Sequence, residues 1–302
     1  MSQGNNTRVV SMFPRSNTGH PSTTKRPLAS GEPSEQDTKR HQRLQKGPQA
    51  IPKNVSSLLP RDVRNPWERY QKVFKIDQAG PGYIAHAKNN TFAEMIVKEV
   101  KAPSKDWLTK LTSTSNQNVV HLQEAMYNNG CIYLFYEVMD VSLSQAFATP
   151  LGRWKAYEVA AFSQELLNGL DYIHKSLGLV HGDMTAKSVL LSVEGAVKIA
   201  NIGTSMLQEF SSKTAQNDIR SIGRIIIECL EPSTFLENGD SLISDTWDPV
   251  LIRFLESTKS GSIQELLRHD FLQLSPGPFC LKPYIRLARE LASKDVELVE
   301  DD

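Results

Sequence analysis

The side chains best equipped for chemistry gather in one stretch, VHGDMTAKSVLLSVEGAVKIANIGTS, residues 180–205. It offers a carboxylate, Asp183, with an imidazole, His181, two positions earlier. Ser188 and Asn201 follow, a hydroxyl and a neutral amide. A hard divalent cation favours carboxylates, so this pair is a weak cation site. Upstream, Lys98 closes the apolar run MIVK, and DQAGPGYI (77–84) carries glycines at Gly80 and Gly82. A phosphate-cradling loop needs backbone amides that can approach closely. Pro81 removes one such donor, and Asp77 adds negative charge. The three cysteines, Cys131, Cys229 and Cys280, lie far apart with no CxxC spacing. That pattern argues against a zinc site and a disulfide framework, and for a reduced, intracellular setting.

These residues need elements to position them. YQKVFKI, GYIAHAK and FAEMIVKEV are short β-rich runs separated by DQAGPG and KNNT, which predicts a meander of antiparallel strands. CIYLFYEV (131–138) is a continuous apolar strand suited to burial on both faces. Helices come next. In AYEVAAFSQELLNGLDYIHKSLG, Val159, Phe162, Leu166, Leu170 and Ile173 recur at three- and four-residue steps, one apolar stripe of a helix. SVLLSVEGAVKIAN reads as a hairpin turning at Glu194-Gly195. NDIRSIGRIIIECL predicts a buried helix capped at Asn217 or Asp218, with Ile219, Ile222 and Ile226 on one side. SIQELLRHDFL (262–272) and YIRLARELA (284–292) also read as helical. Strands first and helices second imply an α+β body of two lobes with a cleft between them.

Charge divides the chain unevenly. Overall it balances, at 34 basic and 34 acidic residues, so no global field steers it to nucleic acid. Residues 1–56 hold nine Lys/Arg against three Asp/Glu, while the remainder is acidic. Seven of the sixteen prolines lie in the first 60 residues, where Phe13 is the only aromatic. Such a segment lacks the apolar surface to offset its ordering entropy, so residues 1–62 are expected to form a disordered basic arm. Its TKRHQRLQK run (38–46) is either a nuclear-import or acidic-surface patch or a solvated linker, and Ser30 after KRPLA is a candidate phosphorylation site. The start, MSQGNNTRVV, has no apolar core of a secretory signal. No apolar run reaches the ~20 residues needed to span a bilayer.

Order and spacing together make residues 66–275 resemble the protein kinase family. GSIQELLRHDFL and NVVHLQEAMYNNGCIYLFYEVMDVSL look most like its sterile-20 and p21-activated group. The resemblance implies the bilobal kinase-like fold, with an N-lobe at 66–139, a C-lobe at 140–275 and a C-terminal extension with an acidic tail at 276–302. It also implies site residues. Gly82, Ile84, Ile96, Lys98, Glu137, Val138 and Leu190 fall where the family binds nucleotide. Asp183 falls at the catalytic base and Lys98 at the phosphate-pairing lysine. Ser188 and Asn201 stand at the two magnesium positions, replacing asparagine and aspartate.

The departures cluster on chemistry. HRDLxxxN is His181-Gly182-Asp183-Met184 with Ser188, and the DFG turn is Asn201-Ile202-Gly203. The helix expected at SKDWLTKL offers Trp107 or Asp106 where a glutamate should hold the lysine. Tyr136 crowds the gatekeeper position. Only fifteen positions separate Gly203 from Asp218, without an Ala-Pro-Glu, and Ser260 replaces an arginine that would pair with that glutamate. The expectation is therefore a pseudokinase, a scaffold or allosteric partner of an active kinase or another signalling protein. It would be cytoplasmic, with a nuclear location left open, and would need no cofactor. An atypical ATP- and Mg2+-dependent serine/threonine kinase is the alternative, and a decaying duplicate the third reading.

Overall fold

The apolar run at 131–138 forms a strand, Cys131–Tyr136, whose alternate residues serve two cores. Ile132, Leu134 and Tyr136 face the main core, while Tyr133 and Phe135 join a second cluster with Tyr70, Val97 and Met126. Burial on both faces explains why this strand lacks polar alternation. The structure, a computed structural model, describes residues 59–208, 214–244, 246–292 and 297–298. The basic arm, its 38–46 cluster and Ser30 lie outside the described residues. All described residues fall within one unit, Val55–Asp302.

The strands are β1 (Arg61–Asp62), β2 (Tyr70–Asp77), β3 (Pro81–Ala87), β4 (Glu94–Lys101), β5 (Leu122–Asn128), β6 (Cys131–Tyr136) and, from the far end of the chain, β10 (Glu297–Leu298). They form one sheet in the order β1-β5-β6-β4-β3-β2-β10, antiparallel throughout except for the parallel pair β1 and β5. Register aligns Ile84 with Ile96, and Ile96 with Tyr136, placing three bulky side chains in a row across the sheet. Its outer face is closed by Trp67, whose ring meets Tyr83 and Tyr133 edge-on at 6.0 and 5.7 Å.

Residues 137–140 lead into the second lobe. There β7 (Val141–Ser142) and α1 (Leu143–Phe147) precede the long α2 (Ala156–Lys175), whose predicted stripe is fully buried. The hairpin β8 (Val189–Leu191) and β9 (Val197–Ile199) turns at Gly195, held at φ +100°. Then follow α3 (Ile202–Leu207), α4 (Ala215–Leu230), α5 (Pro232–Leu236), α6 (Pro249–Thr258), α7 (Ile263–Leu266) and α8 (Lys282–Ala292). The molecule is an α+β fold of two lobes, a sheet followed by helices.

Three local expectations change. The helix read from SKDWLTKL is only a 3-10 turn, Lys105–Lys110, capped by Ser104 and burying Leu108 alone. A single buried side chain gives too little tertiary packing to sustain a longer helix. Helix α4 begins earlier than read from the sequence. Its cap is Thr214, whose N–H and hydroxyl donate to Asn217 Oδ1 at 3.1 and 2.6 Å, while Asp218 is buried within the helix. The 262–272 segment breaks in two, because His269 caps a 3-10 turn (Asp270–Leu274) by accepting from the Phe271 N–H. Elements also run past the domain bounds read from the sequence: Leu59 and α8 residues Tyr284, Ile285 and Ala288 sit in the main core.

Candidate functional site

The loop that carries Asp183 is held by Asp218 of α4. Its carboxylate accepts from the His181 and Gly182 backbone N–H groups at 2.8 and 2.9 Å, and His174 Nε2 lies 2.8 Å away. Burial alone would raise the Asp218 pKa, but these bonds outweigh it and hold the carboxyl below its usual range. His181 is buried, and its Nε2 donates to the Ala200 carbonyl at 2.8 Å, which fixes the neutral tautomer; burial holds its pKa down. The imidazole therefore pins the loop.

Asp183 follows with its side chain exposed, its backbone N–H directed at His181 Nδ1. Ser188 faces back into the loop: its hydroxyl accepts from the Thr185 N–H at 2.9 Å and donates to the Thr185 carbonyl at 3.0 Å. Asn201 sits at φ +64°, at the start of α3. Its Oδ1 accepts from Lys98 Nζ at 2.7 Å, and its Nδ2 donates to the Ala79 carbonyl at 2.8 Å. Lys98 is 8 % exposed and donates also to the carbonyls of Gln78 and Ala79, at 2.9 and 2.6 Å. Burial pushes its pKa down to about 8, opposed in part by Asp77. Among the described residues, no carboxylate pairs with Lys98 in the place that Trp107 or Asp106 was read to hold. Trp107 instead lies under Lys110, 4.6 Å from its ring centre.

The structure brings Ile96, Lys98, Glu137, Leu190 and Asn201 together around one cavity with Gln78, Val120, Tyr136 and Ala200. Its volume is about 10 Å³. That is close to the lower limit for one water molecule, where a small-molecule site needs roughly 300 Å³ or more. Gly82 lies within β3 instead, where a Cβ would stand 3.0 Å from the Val97 carbonyl. Ile84 is buried beside Ile96, and Val138 is 39 % exposed. The Glu137 carboxylate turns outward to Lys198 at 2.7 Å. A larger hollow of about 700 Å³ runs along Lys75–Asp77 and Pro81–Tyr83, and none of the candidate catalytic or metal residues lines it.

Gln78, which sequence reasoning passed over, and Tyr136, which it read as crowding, both line the cleft cavity. Gln78 is 4 % exposed, and its Nε2 donates to the Met139 carbonyl at 3.1 Å. Tyr136 had been read as crowding, but its hydroxyl also accepts from the Gly203 N–H at 3.1 Å and so ties β6 to α3. A Cβ at Gly203 would lie 2.5 Å from that hydroxyl, so any larger residue there forces the tyrosine to shift.

Lys98 and Asn201 also line a more open hollow of about 340 Å³ beside Ala79, Gly80 and Thr204, but their hydrogen bonds match magnesium and a triphosphate poorly. Asn201 is engaged with a cation and a carbonyl, Ser188 is turned inward, and the Lys98 ammonium already has three acceptors. Among the described residues, no group of three or more His, Cys, Asp or Glu side chains is placed to hold a metal.

Comparison with known proteins agrees with the fold. Residues 78–223 match the family model described as protein kinase domain. The chain is 26 % identical over 285 residues to serine/threonine-protein kinase MST20 of Pyricularia oryzae, covering 76 % of this chain and 31 % of that protein. It is 25 % identical over 287 residues to serine/threonine-protein kinase STE20 of Eremothecium gossypii, covering 76 % and 29 %. A third match, cyclin-dependent kinase 9 of Homo sapiens, is 26 % identical over 186 residues, covering 56 % and 49 %. The chain thus spans less than half the length of each of these relatives. By two-lobed fold, by motif order and by these matches, residues 78–223 belong to the protein kinase family.

Proposed function

We propose that this domain is a pseudokinase: it works by binding a protein partner, as a scaffold or allosteric partner in intracellular signalling, and transfers no phosphate. One observation carries the reading. The Lys98 ammonium and the Asn201 amide, at positions the family uses for phosphate and magnesium, bond to each other at 2.7 Å and to the loop above them. Phosphoryl transfer rests on positioning and on metal-borne charge stabilisation. Loss of a single such electrostatic element lowers a rate by ~10²–10³. Both magnesium positions and the lysine's acidic partner are lost here, so a deficit well beyond ~10³ is expected.

An atypical serine/threonine kinase is the second reading, favoured by Asp183, which is exposed at the position the family uses for its base. Incubation with Mg2+ and γ-labelled ATP, with a generic protein substrate, separates the two. No incorporation is expected. Labelling of substrate or of the chain itself, lost in Asp183→Asn, would overturn the pseudokinase reading.

A further inference from the structure

The lysine and amide of the cleft have a second role, and it concerns the loop between β2 and β3. Gln78 leaves the strand and turns inward, so that its carboxamide lies within the cleft, beside Ile96, Tyr136 and Leu190. Its Nε2 donates to the carbonyl of Met139, 61 residues away on the segment joining the lobes. Its Oε1 is buried with no donor. A planar group that donates to this carbonyl and carries an acceptor beside the donor has the hydrogen-bonding edge of an aminopurine in miniature.

The loop is held in place from below. The Gln78 and Ala79 carbonyls both accept from Lys98 Nζ, and the Ala79 carbonyl also accepts from Asn201 Nδ2. Ala79 has a Cβ yet stands at φ +54°, in the left-handed region. Backbone of this kind persists when its surroundings hold it, and here three bonds from β4 and from the residue before α3 do so. The buried Oε1 indicates that the inward position is imposed by the latch rather than preferred by the side chain.

We propose that Gln78 is an intramolecular occupant of the nucleotide cleft, latched by Lys98 and Asn201, and that this occupant excludes adenine nucleotides. This rests on the pseudokinase reading and extends it. The lack of magnesium ligands accounts for the absence of transfer, whereas Gln78 accounts for the absence of binding. Taking away the side chain and one latch residue frees the loop and leaves the apolar walls for a purine.

The test uses the full chain with EDTA present, so that metal plays no part. Thermal melting is followed with millimolar ATP and with adenine alone, for wild type and for Gln78→Ala/Asn201→Ala. Wild type is expected to give no shift, and the double variant a rise of roughly 5 °C. A cooperative double variant that ignores both ligands overturns the proposal and leaves the pseudokinase reading intact. Wild-type binding of ATP also overturns it, whereas phosphate transfer in the labelling assay overturns the pseudokinase reading instead. If the double variant does not melt cooperatively, Gln78→Ala with both latch residues in place is tested with adenine: a shift supports the occupant, and no shift overturns it.

Discussion

Lys98 is a buried cation compensated by dipoles and not by a carboxylate, and that has a consequence for stability. In the unfolded chain its amine titrates near 10.5, and in the fold near 8. Between those values the unfolded chain holds the extra proton, so Lys98 makes unfolding free energy rise with pH; below pH 8 its burial is a standing penalty. The difference in unfolding free energy between wild type and Lys98→Met is therefore expected to shift in favour of wild type from pH 7 to 10.5, by up to about 3 kcal/mol. Urea titrations at several pH values measure this, and parallel profiles would mean that the ammonium is not buried. Gly203 supplies a second residue-scale expectation. Gly203→Ala should cost about 1–3 kcal/mol, because the new methyl meets the Tyr136 hydroxyl. Adding Tyr136→Phe should recover part of that loss, read as a coupling energy in a double-mutant cycle. The positions of Lys98, Asp183 and Asn201 were readable from flanking motifs. Their present partners were not, since Lys98 and Asn201 are 103 residues apart and Ala79 and Asn201 are 122 apart.

Among the elements, α4 is the pillar of the lower lobe, and Asp218 links it to the loop carrying Asp183. Asp218→Ala would leave the His181 and Gly182 N–H groups buried without an acceptor, at ~1–3 kcal/mol each. A fall of several kcal/mol in urea denaturation is expected, whereas Asn217→Ala, which loosens only the first turn at Thr214, should cost about 1 kcal/mol. Equal effects would mean that Asp218 is not the anchor. Strongly periodic elements were legible: the stripe from Val159 to Ile173 and the isoleucines of α4 are buried as their spacing required. Short elements were not. The 105–110 turn has one buried residue, and the 262–272 run is cut by a cap from His269, a residue with no strong helix-breaking signal of its own.

For the whole molecule, the kinase fold survives while its cleft is closed from both lobes: Gln78, Ile96 and Lys98 from the sheet, Leu190, Ala200 and Asn201 from below. Fold class followed from strands preceding helices. Closure itself was not legible. It depends on the conformation of one loop, and a glutamine in DQAGPGYI carries no signal until its Met139 partner is known. The most direct measurement is the melting temperature of the wild-type chain with and without saturating Mg2+ and ATP. A ligand at 100 times its Kd adds ~2.7 kcal/mol, or roughly 5–10 °C for a body of this size. A closed cleft should leave the transition unmoved, and a ligand-dependent rise of that order would contradict it.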